Sequence, residues 1–269
     1  MPTRTTPRTS EQVAPTAGPL ATTLASLDPV DLPELDRAQL HDRVESKVLF
    51  HVSAVPGALS LLAADYLVLE HDGMRSQHYR TSYFDSSRLR SYHEHHNQKR
   101  RRFKVRYRTY LNSGITFFEI KRNVDGRTVK ERIPSSPPGA RVWPGDAAFL
   151  AERAGIHAGS LEPSLSVEYR RILLVARDYS ERVTIDIGLH FTARGATHRM
   201  SQVAIGEFKQ PSFDRHSPAM TALGRRPVKF SKYCMGLASC RPSLRHNRFK
   251  KNFLRLRKLT AQSEPGESR

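Results

Sequence analysis

The chain has 269 residues, long enough for one large domain or two small ones with a sizeable core. Its 44 Lys and Arg outnumber 26 Asp and Glu, and a formal net charge of +18 points to anionic partners: nucleic acid, anionic membrane or phosphorylated molecules. Two cysteines, Cys234 and Cys240, exclude a disulfide framework and lack zinc-site spacing, and no apolar run approaches the ~20 residues that span a bilayer.

In chain order, residues 1–38 are rich in Pro, Thr, Ser and Ala and predict a mostly disordered lead-in. They carry basic residues but no apolar signal-peptide core, so a cytoplasmic protein with two free thiols is expected. Residues 39–240 are expected to form one domain, with folded structure starting near Arg43. Segments 43–52, 76–85, 100–111, 114–123, 126–133, 163–177, 181–191 and 201–210 alternate in character and are rich in β-branched and aromatic residues, which predicts strands. Turn signals at Asn112-Ser113-Gly114, Asp125-Gly126 and Pro134–Gly139 separate several of them. Helices are expected over 56–70, 146–154 and 217–223, with shorter ones near 87–95 and 231–238. Residues 241–269 open on a run of Lys and Arg without an acid up to Lys258, a solvated basic arm or a short amphipathic helix. Many strands, few helices and hairpin turns give an α+β, mainly β class: an antiparallel barrel with flanking helices.

Residues two apart on a strand share a face. Arg43, Glu45 and Lys47 therefore share one; so do Arg102, Lys104, Arg106 and Arg108, then Glu119 with Lys121, and Lys130 with Arg132. Later pairs are Tyr169 with Arg171, Arg182 with Thr184 and Asp186, and Glu207 with Lys209, against apolar partners that include Val183, Ile185, Ile187, Ile205 and Phe208. A sandwich with a wet basic exterior gives the same alternation. The mixing of acids and bases in short pairs, and helices that need an apolar surface to cover, favour a charged lumen instead. Arg106, Arg108, Arg171 and Arg182 offer forks for phosphate oxygens, and Lys47 and Lys121 add point charges. The few acids suit a hard divalent cation shared with phosphate.

Ordered signatures then carry a resemblance: Glu45-Ser46-Lys47, Tyr83-Phe84-Asp85-Ser86, Lys104 to Arg108, Phe118 to Lys121, Val129 to Arg132, Val167 to Arg171, Arg182 to Asp186, Glu207-Phe208-Lys209 and Phe230 to Tyr233. Over roughly residues 41–237 the chain resembles the VTC (vacuolar transporter chaperone) polyphosphate polymerase domain, within the CYTH-like triphosphate tunnel metalloenzymes. The resemblance implies a closed eight-stranded antiparallel tunnel that moves the terminal phosphoryl group of ATP onto polyphosphate. It implies phosphate contacts by Lys47, Arg106, Arg108, Lys121, Arg171, Arg182 and Lys232, help from Tyr169 and Ser231, and a manganese or magnesium ion on Glu207. Glu45, Glu119, Lys104, Lys130 and Lys209 complete the expected charged lining. Hydrolytic relatives begin Glu-x-Glu-x-Lys, and Arg43 stands here in place of the first acid, which favours a polymerase over a triphosphatase. ATP and polyphosphate, rather than DNA, are the expected partners. A non-catalytic polyanion binder is the third reading, motivated by the +18 charge.

His93, Glu94, His95 and His96 read as solvated surface, and Lys99–Arg101 as a rim that steers anions. The tail's Phe249, Phe253, Leu254 and Leu256 suit a stripe against anionic lipid or a partner; the tail equally suits product binding or fraying.

Overall fold

A computed structural model of the chain describes residues 18–37, 43–125, 127–224 and 226–261. The first elements are α1 (Pro19–Ala25), β1 (Pro29–Val30), α2 (Leu32–Arg37), β2 (Val44–His51), α3 (Ala54–Leu62) and β3 (Tyr66–Leu69). Next come β4 (Gln77–Ser86), α4 (Arg90–His96), β5 (Arg102–Tyr110), β6 (Thr116–Val124), β7 (Arg127–Ser135) and α5 (Pro144–Ala154). The rest are β8 (Leu161–Ala176), β9 (Arg182–Ala193), β10 (Ala196–Met200), β11 (Val203–Gln210), α6 (Pro218–Leu223), α7 (Lys232–Cys240) and α8 (Lys250–Ala261).

The fold is mainly β within the α+β class. Strands run in the order β2-β11-β9-β8-β4-β5-β6-β7, every neighbouring pair antiparallel. These are the eight strands the alternation predicts, each displaced by at most three residues at an end. The sheet curls so far that β2 at one end of this order and β7 at the other line the same cavity. Backbone pairing does not close the expected ring, because β2 and β7 are not partners among the described residues. β7 has the marks of a protected edge, with Lys130, Glu131 and Arg132 on it and Pro134 near its end.

Three helices cover the outside of the curl, as the apolar faces require. Val48, Phe50, Ile172, Leu174, Val183, Ile185 and Phe208 pack with Leu59 and Leu62 of α3 and Ala219 and Met220 of α6. On the other half, Phe84, Val105, Tyr107, Phe118 and Ile120 pack with Leu150 of α5.

The inside is divided in two by a bulge. Gly188 has φ 63°, and between Glu168 and Arg170 two residues of β9, Gly188 and Leu189, face the single Tyr169 of β8. Before the bulge Asp186 pairs with Arg171 and faces in; after it Phe191 pairs with Val167 and faces in. Inner positions of the sheet are therefore charged at one end and apolar at the other. There Leu49, Leu165, Val167, Leu189, Phe191, Val203 and Ile205 form one buried plug with Tyr233, Cys234 and Leu237 of α7. Ile205 belongs to this inner plug beside Glu207, rather than to the outer face expected for it, because the two are two residues apart on β11. Both cysteines are free and buried.

Two stretches differ from expectation. The helix expected over 56–70 ends at Leu62, and Tyr66–Val68 pairs instead with Leu174–Ala176 of β8, long-range strand pairing overriding helical spacing. Within the lead-in expected to be disordered, residues 18–37 are folded; residues 1–17 and 38 lie outside the described residues. Leu24, Leu27, Val30 and Leu35 are buried, β1 runs parallel to β3, and Arg75 Nη1 donates to the carbonyls of Leu24 (2.6 Å) and Leu27 (2.8 Å). At the other end the basic tail contains α8, the amphipathic alternative, with Leu256 and Leu259 buried against β2 and β11. No helix among the described residues is long and apolar enough to cross a membrane.

Gly236 of α7 is where the plug leaves least room. A Cβ there would stand 2.1 Å from the Phe191 ring, which is fully buried. Gly236→Ala is expected to cost roughly 1–3 kcal/mol of stability, read as a lower urea midpoint at unchanged slope.

Candidate functional site

The charged end of the curl encloses a cavity of about 280 Å³. Strand alternation aims the cations into it. Arg43 stands just before β2, and Lys47 comes from β2, Arg102, Lys104, Arg106 and Arg108 from β5, Lys121 from β6, Lys130 from β7, Arg171 from β8 and Lys209 from β11. Lys232 enters from the first turn of α7. These eleven cations face two lining carboxylates, Glu45 and Glu207.

Two further carboxylates lie beneath the lining. Asp186 is fully buried and accepts from Arg171 Nε (2.6 Å) and Nη2 (2.8 Å), and from Lys232 Nζ. Glu119, 1% exposed, accepts from Arg106 Nε at 2.7 Å and pairs with Arg108 at 3.5 Å and Lys130 at 3.3 Å. Burial alone would raise the pKa of each acid; their cationic neighbours outweigh it and hold both below the usual carboxylate range. At the lining, Glu207 pairs with Lys47 at 3.0 Å and Glu45 lies 3.7 Å from Lys121 and 3.8 Å from Arg43. Glu207 is likewise held well below its ordinary value, chiefly by Lys47 against the opposing effect of burial.

The cations respond in the opposite sense. Burial, with Lys121, Arg106 and Arg102 nearby, lowers Lys104 to about 8. Burial, with Arg108 and Arg106, lowers Lys130 to about 7, despite Glu119. Lys121 and Lys209 are lowered too, first by burial.

Tyrosines form the floor between cavity and plug. Tyr79 and Tyr169 stack at 5.4 Å, with Arg171 over both rings and Lys232 4.9 Å from the Tyr169 centroid. Arg106 Nη1 donates to the Tyr83 hydroxyl at 3.2 Å. Burial would raise the Tyr169 phenol, but Arg171, Arg108 and Lys232 lower it overall. Ser231 caps α7 by accepting from the Cys234 N–H (3.3 Å) and also accepts from Lys104 Nζ (2.9 Å). Asp85 accepts from the N–H groups of Ser91 and Tyr92 at the start of α4 and from the Tyr233 hydroxyl on α7, so it ties both helices to β4.

Of the residues expected in the site, Lys47, Arg106, Arg108, Lys121, Arg171, Lys232, Glu45, Lys104, Lys130, Tyr169, Lys209, Ser231 and Glu207 all line the cavity. Glu119 lies behind it as the partner of Arg106. Arg182, which opens β9, is not among the lining residues; its guanidinium is drawn instead to the Leu35 carbonyl of the folded N-terminal segment, to which it donates. Asp186 was legible as a same-face neighbour of Arg182 but not as the anchor of Arg171 and Lys232. Arg102, Asn123 and Thr128 stand two residues from expected members and were available from the same alternation. The histidine group is not solvated surface. His96 is fully buried and His95 lines the cavity.

A divalent metal fits in one form. No group of three or more His, Cys, Asp or Glu among the described residues could hold one. Asp186 and Glu119 are buried behind the lining, which leaves the lining carboxylates Glu207, paired with Lys47, and Glu45. One or two carboxylates completed by phosphate oxygens and water is an ordinary magnesium set; these residues fit a metal that arrives with phosphate.

The cavity's geometry can be set beside known proteins. Similar solved structures include a candidate adenylate cyclase from Bacillus halodurans (13% identity, TM-score 0.45, 71% of this chain and 96% of that one). A second, from Vibrio parahaemolyticus, carries the same description (12%, 0.40, 74% and 87%). A third is a Hippeastrum protein described as a candidate adenylyl cyclase with a dominant triphosphatase activity (13%, 0.43, 73% and 95%). No curated protein matches the chain. The VTC domain model matches residues 42–142 and 151–241, which takes in every strand of the curled sheet and all the cavity lining, and breaks only at the outer helix α5. The chain belongs to the VTC domain family.

Proposed function

We propose that the chain is a polyphosphate polymerase, which transfers the terminal phosphoryl group of ATP to the end of a polyphosphate chain and releases ADP. The observation that carries this reading is the excess of cations in one small cavity: eleven line it, and four nearby carboxylates offset only part of their charge. Such an enclosure favours an anion with charge distributed along its length, as phosphate chains have.

Transfer forms a bond between a terminal oxygen of the chain and the γ-phosphorus of ATP and breaks the bond from that phosphorus to the β–γ bridging oxygen. Charge builds on the equatorial and leaving oxygens, so fixed cations do the catalytic work. Asp186 occupies Nε and Nη2 of Arg171 and leaves its Nη1 group for phosphate; Glu119 orients Arg106 similarly. Lys232 of α7 is held by Asp186, and Lys104 of β5 is held by Ser231 at the start of α7. A divalent metal on Glu207 and phosphate oxygens would neutralise further charge when bound. Arg43 places a cation where hydrolytic relatives have an acid, which favours phosphate as acceptor over an activated water.

Incubation with ATP and manganese, resolving polymer, free phosphate and remaining ATP, tests the reading. Polymer is expected, and Arg106→Ala and Arg171→Ala are each expected to slow its formation about 100-fold or more. Free phosphate without polymer would make the protein a triphosphatase, and unchanged ATP with retained polyphosphate binding would make it a binder.

The lysines set a pH dependence. In the empty cavity Lys130 and Lys104 lose charge as pH rises through about 7 and about 8. Bound anion favours the charged forms, so binding takes up protons and affinity falls between about pH 6.5 and 9. In Lys130→Arg the charge persists across this range, so the ratio of wild-type to variant tripolyphosphate affinity, in which the ligand's own ionisation cancels, should fall as pH rises.

A further inference from the structure

His95 is a cavity-lining group to which the transfer reaction above gives no role. It sits near the end of α4, and its ring contributes to the same wall as Arg102 and Lys104 of β5 and Lys121 of β6. The helix is held there firmly. Asp85 caps its first turn, and His96 Nε2 lies 2.9 Å from Asn247 Oδ1. Phe249 packs against Tyr92, His95 and His96 with centroids 6.0, 6.3 and 5.3 Å away. His95 Nδ1 is buried with no hydrogen-bond partner.

We propose that His95 is an additional ligand for the phosphate chain, a neutral imidazole that donates Nε2–H to a phosphate oxygen. The inference rests on the phosphate-handling reading of the cavity.

Protonating both nitrogens would put an N–H at buried Nδ1 with no acceptor, while Arg102, Lys104 and Lys121 face the ring from β5 and β6. His96 and Glu94 are titratable neighbours on α4 itself, and among the described residues of the C-terminal segment the uncharged Phe249 ring packs against His95. Burial first, then those three cations and His96, push the His95 pKa down to about 3. A ring that stays neutral can bind an anion only through an N–H, and the tautomer that leaves Nδ1 bare puts that N–H on Nε2. In a cavity where every further cation meets like-charge repulsion, such a donor adds a hydrogen bond without adding charge.

The test is tripolyphosphate affinity of the full-length protein at several salt concentrations, for wild type, His95→Phe and His95→Gln. The Phe variant should bind about fivefold more weakly and the Gln variant within about twofold of wild type. The slope of log Kd against log salt should be unchanged in His95→Phe but shallower by about one in Arg171→Ala, because only the arginine releases a counterion. Imidazole 15N NMR of the wild type should show the Nε2–H form at pH 6 and a His95 shift on adding tripolyphosphate. Wild-type affinity in His95→Phe, a shallower slope in that variant, or a His95 signal that ignores the ligand would overturn the proposal. The last holds even if the Phe variant does not fold. Absence of tripolyphosphate binding by wild type would instead sink the functional reading, and this inference with it.

Discussion

Like charges must be held together in one small cavity, and two buried carboxylates make that tolerable. Asp186 binds Arg171 and Lys232, and Glu119 binds Arg106, Arg108 and Lys130, so cations from β5, β7, β8 and α7 converge on two anchors. Buried ion pairs of this kind seldom stabilise a fold more than apolar residues of the same volume would. Removing one carboxylate is a different matter, since it strands several half-buried cations. The arrangement therefore exchanges stability for a fixed array of positive charge, and the outer clusters on α3, α5 and α6 supply the stability it gives up.

The bulge at Gly188 lets one strand serve both needs. Without it, the alternation that aims Asp186 inward would send Phe191 outward, and the charged cavity would have no apolar floor. With it, β9 contributes the anchor at one end and the plug at the other. Tyrosines stand at the boundary because their rings pack on the plug while their edges and faces meet guanidinium and ammonium groups. Gly236 then admits α7 close enough for Lys232 and Ser231 to reach the cavity from the far side.

Strand parity made much of this legible in the sequence. The period of two put Lys47, Arg106, Lys121 and Arg171 on one set of faces, and helices needing cover made that set the inner one. Parity fails where the backbone changes step at Gly188, so it said nothing of the plug; Ile205, two residues from Glu207 on an unbroken stretch of β11, obeys parity and lies on the inner face. Parity also says nothing of a distant partner that draws a side chain away, which is why Arg182 was grouped with residues it does not join. The folded segment 18–37 was hidden by composition: its few buried leucines are too sparse to signal order, and they gain it from β3 and Arg75. His95 looked like surface because its helix is too short to show a face, and the ring that packs on it, Phe249, lies some 150 residues away in the chain.

The same physics limits how tightly the cavity can hold an anion. Were all eleven cations permanently charged, the empty state would bear its full self-repulsion and a long polyanion would leave slowly, with release governing turnover. Lys104 and Lys130 instead sit near their discharge points, and their full charge returns when phosphate enters. Part of the binding energy is thus spent on taking up protons, which weakens the grip on each phosphate while leaving the arginine forks oriented throughout. Under the proposed polymerase reaction, an anion held at its end, extended and released repeatedly would be better served by this than by maximal affinity. Arg106 and Arg171, with proton affinities raised further by their acids, provide the constant part of the field, and the lysines provide the part that adjusts.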